Sequence, residues 1–131
     1  MTPKEIAAQI SRFANAQERD DAYEILARTG AEVVPALIAA LTQPAAQFQT
    51  QAWAAKTLGS IGAPAVAAVP YLIAVLKSNA HNGIRQHAAI ALGKLGPLSP
   101  EQEAARGALE TATHDGDGTI CRKADAALQM F

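Results

Sequence analysis

The chain repeats itself, and that constrains its fold more than any other feature. Residues 84–96, IRQHAAIALGKLG, lie over residues 50–62, TQAWAAKTLGSIG, at an offset of 34, with Ala88 on Ala54, Ala89 on Ala55, Leu92 on Leu58, Gly93 on Gly59 and Gly96 on Gly62. A shift back by 32 gives ERDDAYEILARTG (18–30), which keeps Ala22, Leu26 and Gly30. A shift forward by 36 gives ICRKADAALQMF (120–131), which keeps Ile120, Ala124, Ala127 and Leu128. A second element repeats at an offset of 35: VVPALIAAL (33–41) lies over AVPYLIAVL (68–76). Units of this period are supersecondary pieces that bury their apolar faces by stacking on one another.

Both elements read as helices. Val34, Leu37, Ile38 and Leu41 follow the i, i+3, i+4, i+7 spacing of one helical face, with Pro35 near the start, where its missing N–H costs nothing. In the other type, Ile84, Ala88, Ala91, Leu92 and Leu95 make one stripe, and Gly96 is expected as the stop, as are Gly62 and Gly30. The chain then divides into four helical hairpins, about 3–29, 33–61, 67–95 and 101–131. The two offsets differ by one, so the connection TQPAAQFQ (42–49) is a residue longer than KSNAHNG (77–83), as a surface loop tolerates. In the last unit Ser99 is expected as the N-cap, with Pro100 in the first turn and Glu101 and Glu103 near the positive helix end. The greater polarity of that helix suits the wettable outer face of an end unit.

Composition agrees. Half of the 131 residues are hydrophobic but only 5% are aromatic, which suits close-packed helices. The formal charge of −1 provides no field for nucleic acid or an anionic membrane. The single cysteine, Cys121, rules out an intramolecular disulfide and any zinc site of several thiolates, and fits a reducing compartment. The opening MTPKEIAAQISRF lacks the apolar core of a secretory signal, and Pro64 and Pro70 interrupt the longest apolar run, 61–76. A soluble, cytoplasmic protein without membrane insertion is expected.

The paired elements VPYLIAVL…IRQHAAIALGKLG and VPALIAAL…TQAWAAKTLGSIG resemble HEAT repeats of the short, phycobilisome-lyase-like kind. The second helix of that family reads roughly V-R-x-x-A-A-x-A-L-G-x-I-G. Residues 84–96 follow it closely, whereas Thr50 and Gln51 replace the leading pair in the second unit, and the outer units match weakly, Arg19 keeping the arginine register. The resemblance implies an all-α, right-handed α-solenoid of about four HEAT-like hairpins, with the second helices lining an inner surface.

Equivalent positions then form rows across that surface: Asp21, Trp53, His87, Lys123; Glu24, Lys56, Ile90, Ala126; Tyr23, Ala55, Ala89, Asp125; and Arg28, Ser60, Lys94, Met130. None lies on the apolar stripe, so all are expected to face solvent or a partner. Tyr23, Trp53, Lys56, His87, Ile90 and Lys94 are the candidate partner-binding residues, because exposed aromatic and cationic side chains anchor interfaces. For Trp53 the alternative is that it folds down over small alanines between units. Arg85 is assigned a structural role, its guanidinium bonding carbonyls or acids of a neighbouring hairpin.

No catalytic or metal-binding set emerges. His87 lacks a second ligand or acid at helical spacing, so the metal-dependent hydroxylases built on such repeats are not indicated. HDGDGT (114–119) places oxygens at Asp115, Asp117 and Thr119, but Ala126 stands where a calcium loop needs glutamate, and the stretch reads as a turn. Cys121 has no evident base beside it. The expectation is a non-catalytic protein-binding module, an adaptor or accessory subunit that needs no cofactor. The alternative from the resemblance is an accessory to bilin attachment or removal, and nucleic-acid binding ranks third. Asp20, Asp21 and Glu24 at one end and Arg122 and Lys123 at the other would orient a polar partner or favour self-association of copies head to tail.

Overall fold

The computed structural model describes residues 1–43, 47–78 and 80–131. Eight α-helices are present among them: α1 (Pro3–Ser11), α2 (Arg19–Thr29), α3 (Val34–Thr42), α4 (Phe48–Ile61), α5 (Val69–Lys77), α6 (Asn82–Leu95), α7 (Gln102–Ala112) and α8 (Gly118–Leu128). Short 3-10 turns at Gly30–Val33, Ala63–Ala68 and Gly96–Leu98 carry each second helix into the next first helix. The helices pair as four hairpins and stack in two layers, α1-α3-α5-α7 and α2-α4-α6-α8, an all-α solenoid. Residues 44–46 and 79, on which the comparison of loop lengths depends, lie outside the described residues.

The core lies between the two layers. Leu37, Leu41, Leu72 and Leu76 of the first helices meet Leu58 and Leu92 of the second, all buried. Ile38 and Ile73, counted on the first-helix stripe by spacing, are only half-buried, and Ala40 is buried instead. The stripe is thus rotated slightly from its sequence register. Alanine and glycine set the spacing of the second layer. A Cβ on Gly59 would stand 3.1 Å from the Cα of Ala91, and one on Gly93 would stand 2.8 Å from the Cα of Ala127. The repeated Leu-Gly therefore has two jobs: leucine fills the hairpin, and glycine lets the next second helix approach.

The helix ends follow local chemistry. Thr2 and Glu5 form a capping box on α1, with each side chain accepting the other's backbone N–H. Asp117 caps α8 through the N–H groups of Thr119 and Ile120. Gly30 (φ 79°) and Gly62 (φ 81°) stop α2 and α4 in a conformation that other residues avoid. Gly96 differs: its backbone stays right-handed (φ −54°) and runs into a 3-10 turn, with the Phe131 ring where a side chain would go. Ser99 also departs from expectation. Helix α7 starts only at Gln102, and Ser99, buried, accepts the N–H of Glu101 in the turn before it. Residues Arg19–Thr42 reach the length and apolarity of a membrane span, but the bend at Gly30 divides them into α2 and α3.

Candidate binding face

The second helices form a continuous face, and its two halves differ. In the first half Trp53 leans back from α4 onto the preceding hairpin. Its ring stacks on buried Phe13 (centroids 6.1 Å, planes 30° apart) and meets Tyr23 edge-on (5.8 Å, 77°). The Lys56 ammonium lies 4.2 Å from the Trp53 centroid and 4.8 Å from that of Tyr23, and the Arg19 guanidinium lies 5.7 Å from Trp53. Cations this close to the rings are attracted by their quadrupoles, although the Arg19 Nε is buried there without a hydrogen-bond partner among the described residues. The Tyr23 hydroxyl and the Ser60 hydroxyl share a hydrogen bond. Tyr23, Trp53 and Lys56 are therefore brought together, half-buried, as a brace between the first two hairpins. The packing alternative for Trp53 describes this geometry better than a free anchor.

One expected row is corrected. Ala55 and Ala89 do not face solvent; both are fully buried. Each sits one turn before a close-contact glycine, Gly59 or Gly93, so its register points into the seam with the next second helix. Tyr23 holds the same register in α2 and fills the α2–α4 seam. Asp125 holds it in α8 and is exposed.

The second half is open. His87 is half-buried, and its imidazole is held below its ordinary pKa, first by burial and then by the positive charges of Lys56 and Lys123. Ile90 is half-exposed and Lys94 exposed, and they flank a groove of about 280 Å³ between α6 and α8 that Gly93, Lys123, Ala126 and Met130 complete. Lys123 and Met130, on the same rows, belong to this face as much as the residues chosen from sequence.

Arg85 lies away from the face. Its Nε donates to the Leu76 carbonyl (3.0 Å) and its terminal nitrogens pair with Asp115 in the next hairpin. Gln51, in the same register of α4, donates to the carbonyls of Leu41 (3.2 Å) and Gln43 (3.1 Å). Leu41 and Leu76 are equivalent positions, so in the two inner hairpins the register satisfies orphan carbonyls at the C-termini of α3 and α5. The Nε of Arg19, in the same register of α2, is instead buried without a partner among the described residues. In the second unit glutamine takes this role, although it departs from the family's arginine. The Cys121 thiol, again in that register, donates to the Asp115 carbonyl. Asp115 also accepts the Asp117 N–H, and Asp117 accepts from Asn82, so HDGDGT is a hydrogen-bonded turn locking α6 to α8. Among the described residues, no group of three or more His, Cys, Asp or Glu side chains is placed to hold a metal ion.

Sequence reasoning missed a cleft of about 580 Å³ on the loop edge between the second and third hairpins, lined among others by Phe48, Tyr71, His81 and Ile84. Phe48 and His81 stack there at 4.1 Å. The available signal was Phe48, the one large apolar residue in the stretch TQPAAQFQ.

A family model described as HEAT repeats matches residues 34–129. No curated protein matches the sequence. Among solved structures, a chain in the complex of CpcE and CpcF of phycocyanin lyase from Nostoc sp. PCC7120 superposes with a TM-score of 0.82 at 25% identity, covering 98% of this chain and 79% of that one.

Proposed function

The chain belongs to the HEAT-repeat family, and on that premise we propose that it is a non-catalytic protein-interaction module, an adaptor or accessory subunit of the cytoplasm. It presents the face of its second helices to a partner protein. The observation that carries this reading is the difference between the halves of that face. The Tyr23–Trp53–Lys56 brace occupies the first half with its own contacts, while Ile90 and Lys94 of α6, Lys123 of α8 and Met130 just beyond it line an open groove. A preformed surface loses little entropy on binding. The test is capture from the native source with wild type, with Lys94→Glu/Lys123→Glu on this face, and with Glu103→Lys/Glu110→Lys on α7. The first variant is expected to lose the partner and the second to keep it. Equal capture by all three proteins would show that the wrong face was chosen.

A second reading is favoured by the likeness to a chain of the phycocyanin lyase complex: an accessory role in bilin attachment or removal. Mixing the protein with a linear tetrapyrrole and an apo-phycobiliprotein tests it by absorbance. A spectrum equal to the sum of the components counts against it.

A further inference from the structure

The groove between α6 and α8 has an apolar floor and a rim of one charge. Ile90, Gly93, Ala126 and Ala127 form the floor, and Met130, 59% exposed, closes one end with a flexible thioether. The ionisable groups lining it are Lys94 and Lys123, both exposed. The nearest row adds His87, half-buried, whose protonation is disfavoured first by burial and then by Lys56 and Lys123. Asp125 of α8 stands on the register that Ala55 and Ala89 turn into the helix seams, away from α6. The acids Asp20, Asp21 and Glu24 are exposed at the other end of the second-helix layer, on α2.

Resting on the reading of this face as a protein-binding surface, we propose that the α6–α8 groove takes an amphipathic helix of a partner whose apolar stripe is bordered by Asp or Glu. Glycine and alanine keep the floor low, so a leucine-sized side chain reaches Ile90 and Met130 while flanking carboxylates meet Lys94 and Lys123. The first two hairpins offer no equivalent, because Tyr23, Trp53 and Lys56 pack together there and Asp21 and Glu24 share that half with Arg28 and Lys56. The apolar floor with a cationic rim therefore places the occupant between α6 and α8 and sets its sign.

Two reporters test this. Met130 is one of two methionines, and Trp53 is the only tryptophan. The probe is a synthetic helical peptide of roughly 15 residues with leucines on one stripe and glutamates beside them. Its counterpart carries lysine for glutamate. With methyl-labelled methionine, the glutamate peptide is expected to shift the Met130 signal and leave Met1 unmoved, with affinity falling as salt rises. Lys94→Glu/Lys123→Glu is expected to weaken it about tenfold, as two attractions become repulsions, and to favour the lysine peptide instead. Equal binding of both peptides to wild type overturns the proposal, as does a Met130 shift given only by phosphatidylserine vesicles. A response of Trp53 without Met130 refutes the groove assignment while leaving the protein-binding face standing. Silence of both reporters, with the native partner still captured through this face, likewise refutes only the acidic helix.

Discussion

Arg85 of α6 and Asp115, just beyond α7, form an ion pair that joins the third and fourth hairpins, both side chains largely shielded from solvent. The Asp115 carboxyl is held below its ordinary value, chiefly by the hydrogen bond from Arg85 and then by the N–H of Asp117. A carboxylate depressed in the folded state stabilises fully above its unfolded pKa and loses that contribution as pH falls through the lower folded value. Arg85→Met is therefore expected to cost about 1–2 kcal/mol near neutral pH, through the lost pair and the freed Leu76 carbonyl. The part due to Asp115 disappears only as pH drops below 3.8, its ordinary value. Thermal unfolding of both proteins across that range measures it. A deficit that does not change with pH would leave only the carbonyl bond to explain it.

Glycines in this fold are of two kinds, and alanine substitution separates them. A Cβ at Gly93 would sit 2.8 Å from the Cα and the Cβ of Ala127, so α6 and α8 must part. Overpacking of that sort costs about 1–3 kcal/mol. Gly107, exposed in α7, would have nothing within 4 Å of an added Cβ, and alanine there is expected to add roughly 0.5–1 kcal/mol through helix propensity. Denaturant melts of Gly93→Ala and Gly107→Ala should move in opposite directions. Movement in the same direction would refute the close-contact account of the Leu-Gly motif.

The same glycines show why the fold is legible in the sequence and the face only partly so. Leu58/Leu92 and Gly59/Gly93 recur because the two inner hairpins solve the same packing problem, so alignment of the chain with itself exposes them. The stops at Gly30 and Gly62 are legible for the same reason. At Gly96 the helix also ends where expected, but its right-handed backbone and the Phe131 ring packed beside it are not legible, because Phe131 lies far along the chain. Rows on the second helices follow from spacing within one helix. Spacing cannot tell solvent from a neighbouring helix, so it places Ala55 and Ala89 outside when they line seams. Trp53 is ambiguous for a related reason: its packing depends on Phe13, Tyr23 and Arg19, which lie outside its own repeat.

His87 offers a direct measure of the field on the open half of the face. Burial lowers its pKa first, followed by Lys56 and Lys123. Lys56→Met is expected to raise that pKa, yet keep it below 6.5 because desolvation remains. Imidazole signals followed through a pH titration by NMR give the answer, and an unmoved midpoint would mean that Lys56 does not act on His87. The folded protein resists a proton that the unfolded chain accepts. Stability from this group therefore holds above pH 6.5 and declines as pH falls through 6.5 toward the folded value.

Trp53 ties the first hairpin to the rest of the stack, so its removal should be felt locally. Its ring covers Phe13, meets Tyr23 and holds two cations, and truncation to alanine is expected to cost about 3 kcal/mol. In a solenoid each unit depends mainly on its nearest neighbours, so a loss at one seam opens one end rather than the whole chain. Amide hydrogen exchange in Trp53→Ala should therefore quicken in α1 and α2, around Ala22 and Leu26, while amides of α6 and α8 such as Leu92 and Ala124 keep most of their protection. Circular dichroism would then show the loss of roughly one hairpin's helix before the main transition. Protection lost evenly along the chain would mean that the four hairpins unfold as one unit and that Trp53 is not a local brace. It would also disqualify Trp53→Ala as a binding variant, which is why the lysines of the open groove are the better residues with which to test partner capture.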